Sequence, residues 1–284
     1  MCRRLPTEQT KVTEQLAIAK RLIHERLGLR FEGLRERQLR RALTQRLQAT
    51  TSASPATYLE LLRRSAPEMD ALASLVTINE TFFDREPHHL QLLADHLLPG
   101  LLAARKGAEP IGILSLGCSS GEEPYSLAMT VQERWGRQAT ALMRITGADL
   151  DSTRIALARA GCYHTHALRE LSAQRRQQWF VVQDAHHYCL QPQIQQAVRF
   201  QVVNVLDAQL PSLLGQQDLV FYRNISIYFD IPTRTKVLQN IKRLLKPGGF
   251  LVVGTTEVLS NDLGVFRLVE QKGSWYFVNA PPAA

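Results

Sequence analysis

No apolar run in these 284 residues approaches the length of a membrane span, and the opening Met1-Cys2-Arg3-Arg4-Leu5-Pro6 has no hydrophobic stretch behind it. A soluble, cytoplasmic protein without membrane insertion is expected. Four cysteines, Cys2, Cys118, Cys162 and Cys189, are too few and too scattered for a disulfide framework, which fits a reducing compartment. Cys162, His164, His166, His186, His187 and Cys189 fall in one stretch, and the first three would share one face of a strand. Yet no C-x-x-C or H-x-x-x-H spacing occurs, so no metal site is expected. The G-x-G-x-x-G of a dinucleotide fold is missing as well, which ranks an NAD-dependent oxidoreductase last.

What is present centres on residues 111–129. The apolar run from Ile111 to Leu116 breaks into a small-residue loop and resumes from Glu122 with helical spacing. Strand, loop and helix follow, with Gly117 and Gly121 where a backbone lacking Cβ lets a ligand approach amide N–H groups at a helix start. Taken alone, the glycines fit an empty β-to-α turn equally well. The two acids after the second glycine bear on the choice of ligand. Glu122 and Glu123 would repel a pyrophosphate, whereas a sulfonium carrying a protonated amine would welcome a carboxylate, which favours S-adenosylmethionine over NAD.

The same strand-then-helix rhythm recurs. Leu142 to Asp149 reads as a second strand ending in an acid able to accept hydrogen bonds from both ribose hydroxyls, while Asp151 or Ser152 could cap the next helix. Residues 198–205 and 218–224 read as strands ending in Asn204 and Asn224, and Leu244 to Gly254 supplies a helix end, a turn and a fifth strand. In an open parallel sheet the ligand lies outside the carboxyl ends of the strands, so Gly117, Asp149, Asn204 and Asn224 converge on one crevice. Val265 to Glu270 and Ser274 to Val278 flank Gln271-Lys272-Gly273 as an antiparallel hairpin. Residues 162–197 break the rhythm and read as an inserted subdomain. Length and an apolar content of 45% allow a second unit besides this core.

Residues 1–75 form that second unit. Fourteen Lys and Arg stand there against eight Asp and Glu, most of the chain's net charge of +8. Leu16, Ile23 and Leu27, then Leu39, Leu43 and Leu47, mark amphipathic helices, with Lys20 as an interruption; Ser54 and Pro55 open a third helix and Pro67 a fourth. Arg35, Arg37, Arg40, Arg41 and Arg46 decorate the surface of the second helix. On charge alone this is a solvated face.

The Leu-Lys-Pro-Gly-Gly before the fifth strand and the closing hairpin resemble the S-adenosylmethionine-dependent methyltransferases. Three stretches narrow the likeness: Asn79-Glu80-Thr81-Phe82-Phe83-Asp84-Arg85-Glu86, Gly121-Glu122-Glu123-Pro124-Tyr125-Ser126 and Arg223-Asn224-Ile225-Ser226-Ile227-Tyr228-Phe229. They are similar to the chemotaxis receptor glutamate methyltransferases, of CheR type, over nearly the whole chain. The resemblance implies an α/β fold: a doubly wound, mostly parallel seven-stranded sheet with a terminal antiparallel hairpin, a small inserted subdomain (162–197) and an all-helical N-terminal domain. Residues 1–75 would dock substrate, and residues 76–284 would carry the chemistry. It also implies cofactor contacts at Asn79, Thr81, Arg85, Gly117, Glu122, Asp149, Asn204, Val205, Asn224 and Ile225, and a methyl-transfer site lined by Arg85 and Tyr228. The array at Arg37, Arg40, Arg41 and Arg46 becomes a docking face for the acidic methylation helices of receptors.

Two departures qualify the match. Asp84 stands between the Phe pair and Arg85, where many members place the Arg directly after the pair, so the aromatic packing beside Arg85 should differ. The loop around Val182 to Tyr188 is shorter than in members that bind a receptor's C-terminal peptide tether, which favours direct docking by a monomer.

The reaction so implied is displacement at the sulfonium methyl by a glutamate carboxylate, leaving S-adenosylhomocysteine. With an ordinary pKa near 4.3 the nucleophile is already ionised at neutral pH and needs no general base, consistent with the missing His, Cys or Ser constellation. A nucleic-acid methyltransferase would suit the basic charge, but Asn224 is followed by Ile225 and Ser226 rather than by Pro-Pro and an aromatic. A non-catalytic S-adenosylmethionine sensor shares most of these residues.

Overall fold

A computed structural model of the chain describes residues 8–105, 107 and 109–280. The reading of Met1 to Pro6, including Cys2, lies outside the described residues. Two compact units are present: one gathers the chain up to Ile78 together with Tyr228–Asp230, the other takes Asn79–Ile227 and Ile231 onward.

The first unit is helical. Helix α1 (Glu8–Leu27) buries Leu16, Ala19, Ile23 and Leu27, and α2 (Leu34–Ala49) buries Leu39 and Ala42. Ser54 accepts a hydrogen bond from the Thr57 N–H to cap α3 (Pro55–Arg64), with Pro55 in its first turn. Ser65 ends that helix and, through its hydroxyl and the Glu68 N–H, caps α4 (Ala66–Val76). Tyr58, Leu62 and Leu72 close the core. Lys20, the break in the apolar stripe of α1, reaches across to an ion pair with Glu36 of α2.

The second unit holds ten strands: β1 (Ile111–Leu116), β2 (Met143–Asp149), β3 (Cys162–His164), β4 (Phe180–Val182), β5 (His187–Leu190), β6 (Val198–Val202), β7 (Gln217–Tyr222), β8 (Leu245–Val253), β9 (Arg267–Gln271) and β10 (Ser274–Val278). Seven form one sheet in the order β6-β2-β1-β7-β8-β10-β9. Pairing is parallel from β6 to β8, and the hairpin β9–β10 adds antiparallel to β8. This is the doubly wound seven-stranded arrangement expected. β1 is buried at every position, as a central parallel strand must be. Two boundaries differ from expectation. β6 and β7 stop at Val202 and Tyr222, so Asn204 and Asn224 lie in the loops beyond them, and β8 begins at Leu245 with an irregular register opposite Gln217–Leu219.

The other three strands form a separate antiparallel sheet, β3-β5-β4. Here two expectations fail. Cys162 and Cys189 face each other in the β3–β5 register, Cα atoms 4.0 Å apart, and are joined as a disulfide. Spacing along the chain gave no sign of this, because the antiparallel return sets residues 27 positions apart side by side. Nor do Cys162, His164 and His166 share a strand face: β3 ends at His164, whose ring accepts from the His166 N–H as the chain turns into the 3-10 stretch Thr165–Leu168. Among the described residues no group of three His, Cys, Asp or Glu could hold a metal ion, and no helix is long and apolar enough to cross a membrane.

Peptides bearing Cys162 and Cys189 from a non-reduced digest should run as one linked species that reduction separates, and Cys189→Ala should lower stability by roughly 3 kcal/mol for a loop of this size. Two unlinked peptides from oxidised protein would contradict the pairing.

Candidate active site

The loop after β1 folds back on β2. Gly117 and Cys118 donate their N–H groups to the Ala148 carbonyl at 2.7 and 3.1 Å, which aims the next amide at the end of β2. There Asp149 accepts from the Ser119 N–H through Oδ2 at 2.7 Å and from the Asp151 N–H through Oδ1 at 2.9 Å. Each oxygen keeps a further lone pair. Burial, against these N–H groups, pushes the Asp149 carboxyl above its ordinary range. Asp151 does the capping, accepting from Thr153 and Arg154, and its other oxygen takes the Asn79 side-chain amide at 3.2 Å. Asn79, Asp149 and the glycine loop are therefore brought together.

The two glycines also serve the packing of the loop. Both have positive φ, 81° at Gly117 and 93° at Gly121, but the space a Cβ would take is filled by protein. At Gly117 it would lie 2.6 Å from Ile225 Cδ1, and at Gly121 2.8 Å from Ala158 Cβ. The missing side chains make room for neighbouring residues.

The acid pair also divides. Glu123 takes the Ser115 hydroxyl at 2.6 Å and the Arg223 guanidinium at 2.8 Å, so its charge is neutralised inside the protein. Glu122 opens the helix Glu122–Trp135 and is 3% exposed, with both oxygens on the Ser120 hydroxyl. No ion-pair partner touches it among the described residues. Burial pushes its carboxyl up to about 7, against its own backbone N–H, Ser120 and the more distant charges of Arg154 and Arg169.

On the opposite side, Asn224 sits at φ 60°, its N–H on the Glu257 carboxylate, which also accepts from the N–H groups of Ser226 and Gly254. Ile225 thereby packs onto Gly117. Asn204 turns its side-chain oxygen to the Leu206 N–H, and the Val205 carbonyl accepts from Asn240, so both belong to a folded loop.

The segment 79–86 carries the rest. Thr81 is half-buried there. Asp84 and Glu86 have left-handed backbones, φ 57° and 54°. With Asp84 so placed, its carboxylate pairs with Arg175 and the two phenylalanines diverge. Phe83 is buried edge-on against Tyr163 and Phe180, while the Phe82 ring lies beneath Arg85, 5.5 Å from its centroid. Arg85 donates to the Glu80 carbonyl at 3.0 Å.

Tyr228 groups with the helical unit: the Arg30 N–H donates to its carbonyl, and the Arg35 guanidinium lies 4.7 Å over its ring. In that unit the arginine array splits. Arg37 and Arg41 are exposed and, with Leu34, Gln38, Gln45 and Leu75, line a depression of about 390 Å³. Arg40 is exposed but pairs with Glu36 at 2.8 Å. Arg46 instead closes a bidentate pair with Glu68, at 2.8 and 2.6 Å, and the Tyr58 hydroxyl joins the same carboxylate. Burial opposes the Glu68 charge, but Arg46 and Tyr58 outweigh it and hold the carboxyl below its ordinary range. Arg46 is thus a packing residue of the helical unit and is lost from the expected free face, for a reason that α2 read by itself does not contain.

Residues 79–274 match the family described as "CheR methyltransferase, SAM binding domain", and residues 14–77 match "CheR methyltransferase, all-alpha domain". The chain belongs to the CheR methyltransferase family. It is 38% identical over 237 residues to the probable biofilm formation methyltransferase WspC of Pseudomonas putida, covering 84% of this chain and 55% of that one, about half the relative's length. It is 30% identical over 257 residues to chemotaxis protein methyltransferase 2 of Vibrio cholerae, covering 89% of each. With the chemotaxis protein methyltransferase of Salmonella typhimurium it is 32% identical over 280 residues, 93% of this chain and 94% of that one.

As a CheR-family methyltransferase the chain uses S-adenosylmethionine, and its donor set fits that ligand. Asp149 offers two acceptors to hydroxyls, and Glu122 is a buried carboxylate with no cation in contact. Three residues outside the expected set shape the site: Arg223, Glu86 and Glu257. Arg223 directly follows the buried strand β7, a charge where the apolar run ends, and that was the available signal.

Affinity for the cofactor should rise with pH through about 7, because only the ionised Glu122 attracts a cation and its pKa is raised. Calorimetric titration from pH 6 to 8 should show that slope in the wild type and none in Glu122→Gln; a slope that survives the substitution would assign it elsewhere.

Proposed function

We propose that this methyltransferase esterifies glutamate side chains on the cytoplasmic helices of chemotaxis receptors, in the cytoplasm. The observation that carries the reading is the pairing of a cation-seeking pocket, Glu122 and Asp149, with the arginine of segment 79–86 in the same unit. When bound, S-adenosylmethionine supplies an electrophilic methyl group on a sulfonium. Every other requirement falls on the chain: to hold the donor, to orient an anionic acceptor and to strip its water. Alignment of this kind contributes roughly 7–11 kcal/mol in favourable cases.

In this reading Asn79, Thr81, Gly117, Asn204, Val205, Asn224 and Ile225 border the donor, Asp149 takes its ribose, and Arg85 faces the acceptor carboxylate; Tyr228 is proposed for methyl transfer on the resemblance alone. A carboxylate already ionised at neutral pH asks for no base, and the site's own carboxylates are unsuited to that task. Glu123 is neutralised by Arg223, and Glu122 is turned onto Ser120. Arg37 and Arg41, with Arg40, meet acidic receptor helices. The chain, taken as a monomer, docks directly without a tether, because the link between β4 and β5 is only the tight turn Gln183–His186, closed by Asp184 accepting from the N–H groups of His186 and His187.

Incubation with methyl-labelled S-adenosylmethionine and a receptor cytoplasmic fragment should give label that mild alkali releases as methanol; base-stable label, or transfer to nucleic acid in place of protein, would refute the assignment. In the same assay Arg37→Ala and Arg41→Ala should raise KM for the receptor fragment several-fold and leave the melting temperature unchanged. Arg46→Ala should cost about 2–3 kcal/mol of stability, read by denaturant unfolding, because it strands the buried Glu68. A stable Arg46→Ala variant with raised KM would return Arg46 to the docking face.

A further inference from the structure

The inserted stretch lays an arginine against segment 79–86. After β3 the chain makes the 3-10 turn Thr165–Leu168, anchored below by the buried Leu168 and Leu171. The Phe83 N–H donates to the Ala167 carbonyl at 2.9 Å, which fastens this turn to segment 79–86. Arg169, the next residue, is thereby laid over the outward-facing Phe82 ring, 3.8 Å from its centroid, on the same ring that carries Arg85. Two guanidiniums from different parts of the unit thus lie against one aromatic ring.

Their bonds are incomplete. Arg169 spends Nη1 on the His166 carbonyl at 3.1 Å, and its Nη2 lies 3.8 Å from the Glu80 carboxylate, beyond hydrogen-bond reach. Glu80 itself is 74% exposed along its side chain. Arg85 gives one nitrogen to the Glu80 backbone carbonyl. What stands nearest the Arg169 fork is therefore the exposed carboxylate of a glutamate, the same functional group as the proposed substrate, on the residue whose backbone carbonyl Arg85 holds.

We propose that Arg169 binds the carboxylate of the substrate glutamate, sharing it with Arg85 across Phe82, and that the Glu80 side chain occupies this position until the substrate displaces it. The inference deepens the glutamate-esterifying reading and rests on it. A single guanidinium fixes a carboxylate along one edge; a second, held at a set distance by the ring, fixes the direction in which the free oxygen points. Planar forks suit this role, and a lysine does not reproduce the geometry. An uncharged glutamine on the receptor would find two cations and no charge to offer them, which favours glutamate over glutamine at the same site.

The test uses the full chain, methyl-labelled S-adenosylmethionine and a receptor cytoplasmic fragment, with S-adenosylhomocysteine affinity and melting temperature measured alongside. Arg169→Gln should raise KM for the fragment about tenfold or more while cofactor affinity and melting stay at wild-type values. Arg169→Lys, which keeps charge and bulk, should recover only part of the loss. Glu80→Gln should lower KM, because a competing carboxylate is removed. Wild-type KM in Arg169→Gln, or a loss of cofactor affinity that accounts for the whole defect, overturns the inference alone. A wild-type chain that esterifies no glutamate overturns the underlying reading and the inference with it.

Discussion

The site depends on a guanidinium withdrawn from water. Arg223 is 6% exposed, yet its fork reaches Glu86 at 2.7 Å, Glu123 at 2.8 Å and the Arg85 carbonyl at 2.8 Å. An arginine buried without such partners would be prohibitive, so the piece that carries it and the two that supply its partners, three in all, are obliged to stay together. Those pieces are the end of β7, the start of the helix after the glycine loop and the segment 79–86. Burial opposes the charge on Glu86, but His89 and Arg223 outweigh it and hold its carboxyl well below the ordinary range. The same network holds Glu86 in a left-handed backbone that a glutamate rarely adopts.

Glu257 works in a related way on the far side, where three N–H groups of loops 224–226 and 254 converge on one carboxylate. Both acids are consumed in building the walls. What remains at the carboxyl edge of β1 and β2 is Asp149 and Glu122, two carboxyls without a cation in contact among the described residues. In the proposed reading charge selectivity there is a remainder: the other acids are paired within the protein, and these two are left for a positively charged guest.

The sheet was legible because its strands are long, apolar and punctuated, and because β2 ends visibly on an acid. The hairpin and the capped helices α3 and α4 were legible for the same local reasons. What was not legible is whatever depends on a residue meeting a partner far along the chain. Glycine spacing marked a tight loop, but only the fold reveals that Ile225 and Ala158 fill the space a Cβ would take there. Two adjacent acids look alike in a sequence; Arg223, a hundred residues on, makes one structural and leaves the other free. Arg46 belongs by periodicity with its neighbours, and Glu68 removes it from them. The Cys162–Cys189 pair is the plainest instance, since cross-strand register is invisible to spacing.

Phe200 links three of these features. Its ring lies where a Cβ on Gly147 of β2 would stand, 2.6 Å away, and also 3.1 Å from where one on Gly121 would stand. One aromatic edge therefore serves as a spacer between the sheet and the loop that leads into the helix. A larger residue at Gly147 or Gly121 would have to push that ring aside, so the strand that ends on Asp149 and the loop that leads to Glu122 are tied through a single side chain of β6.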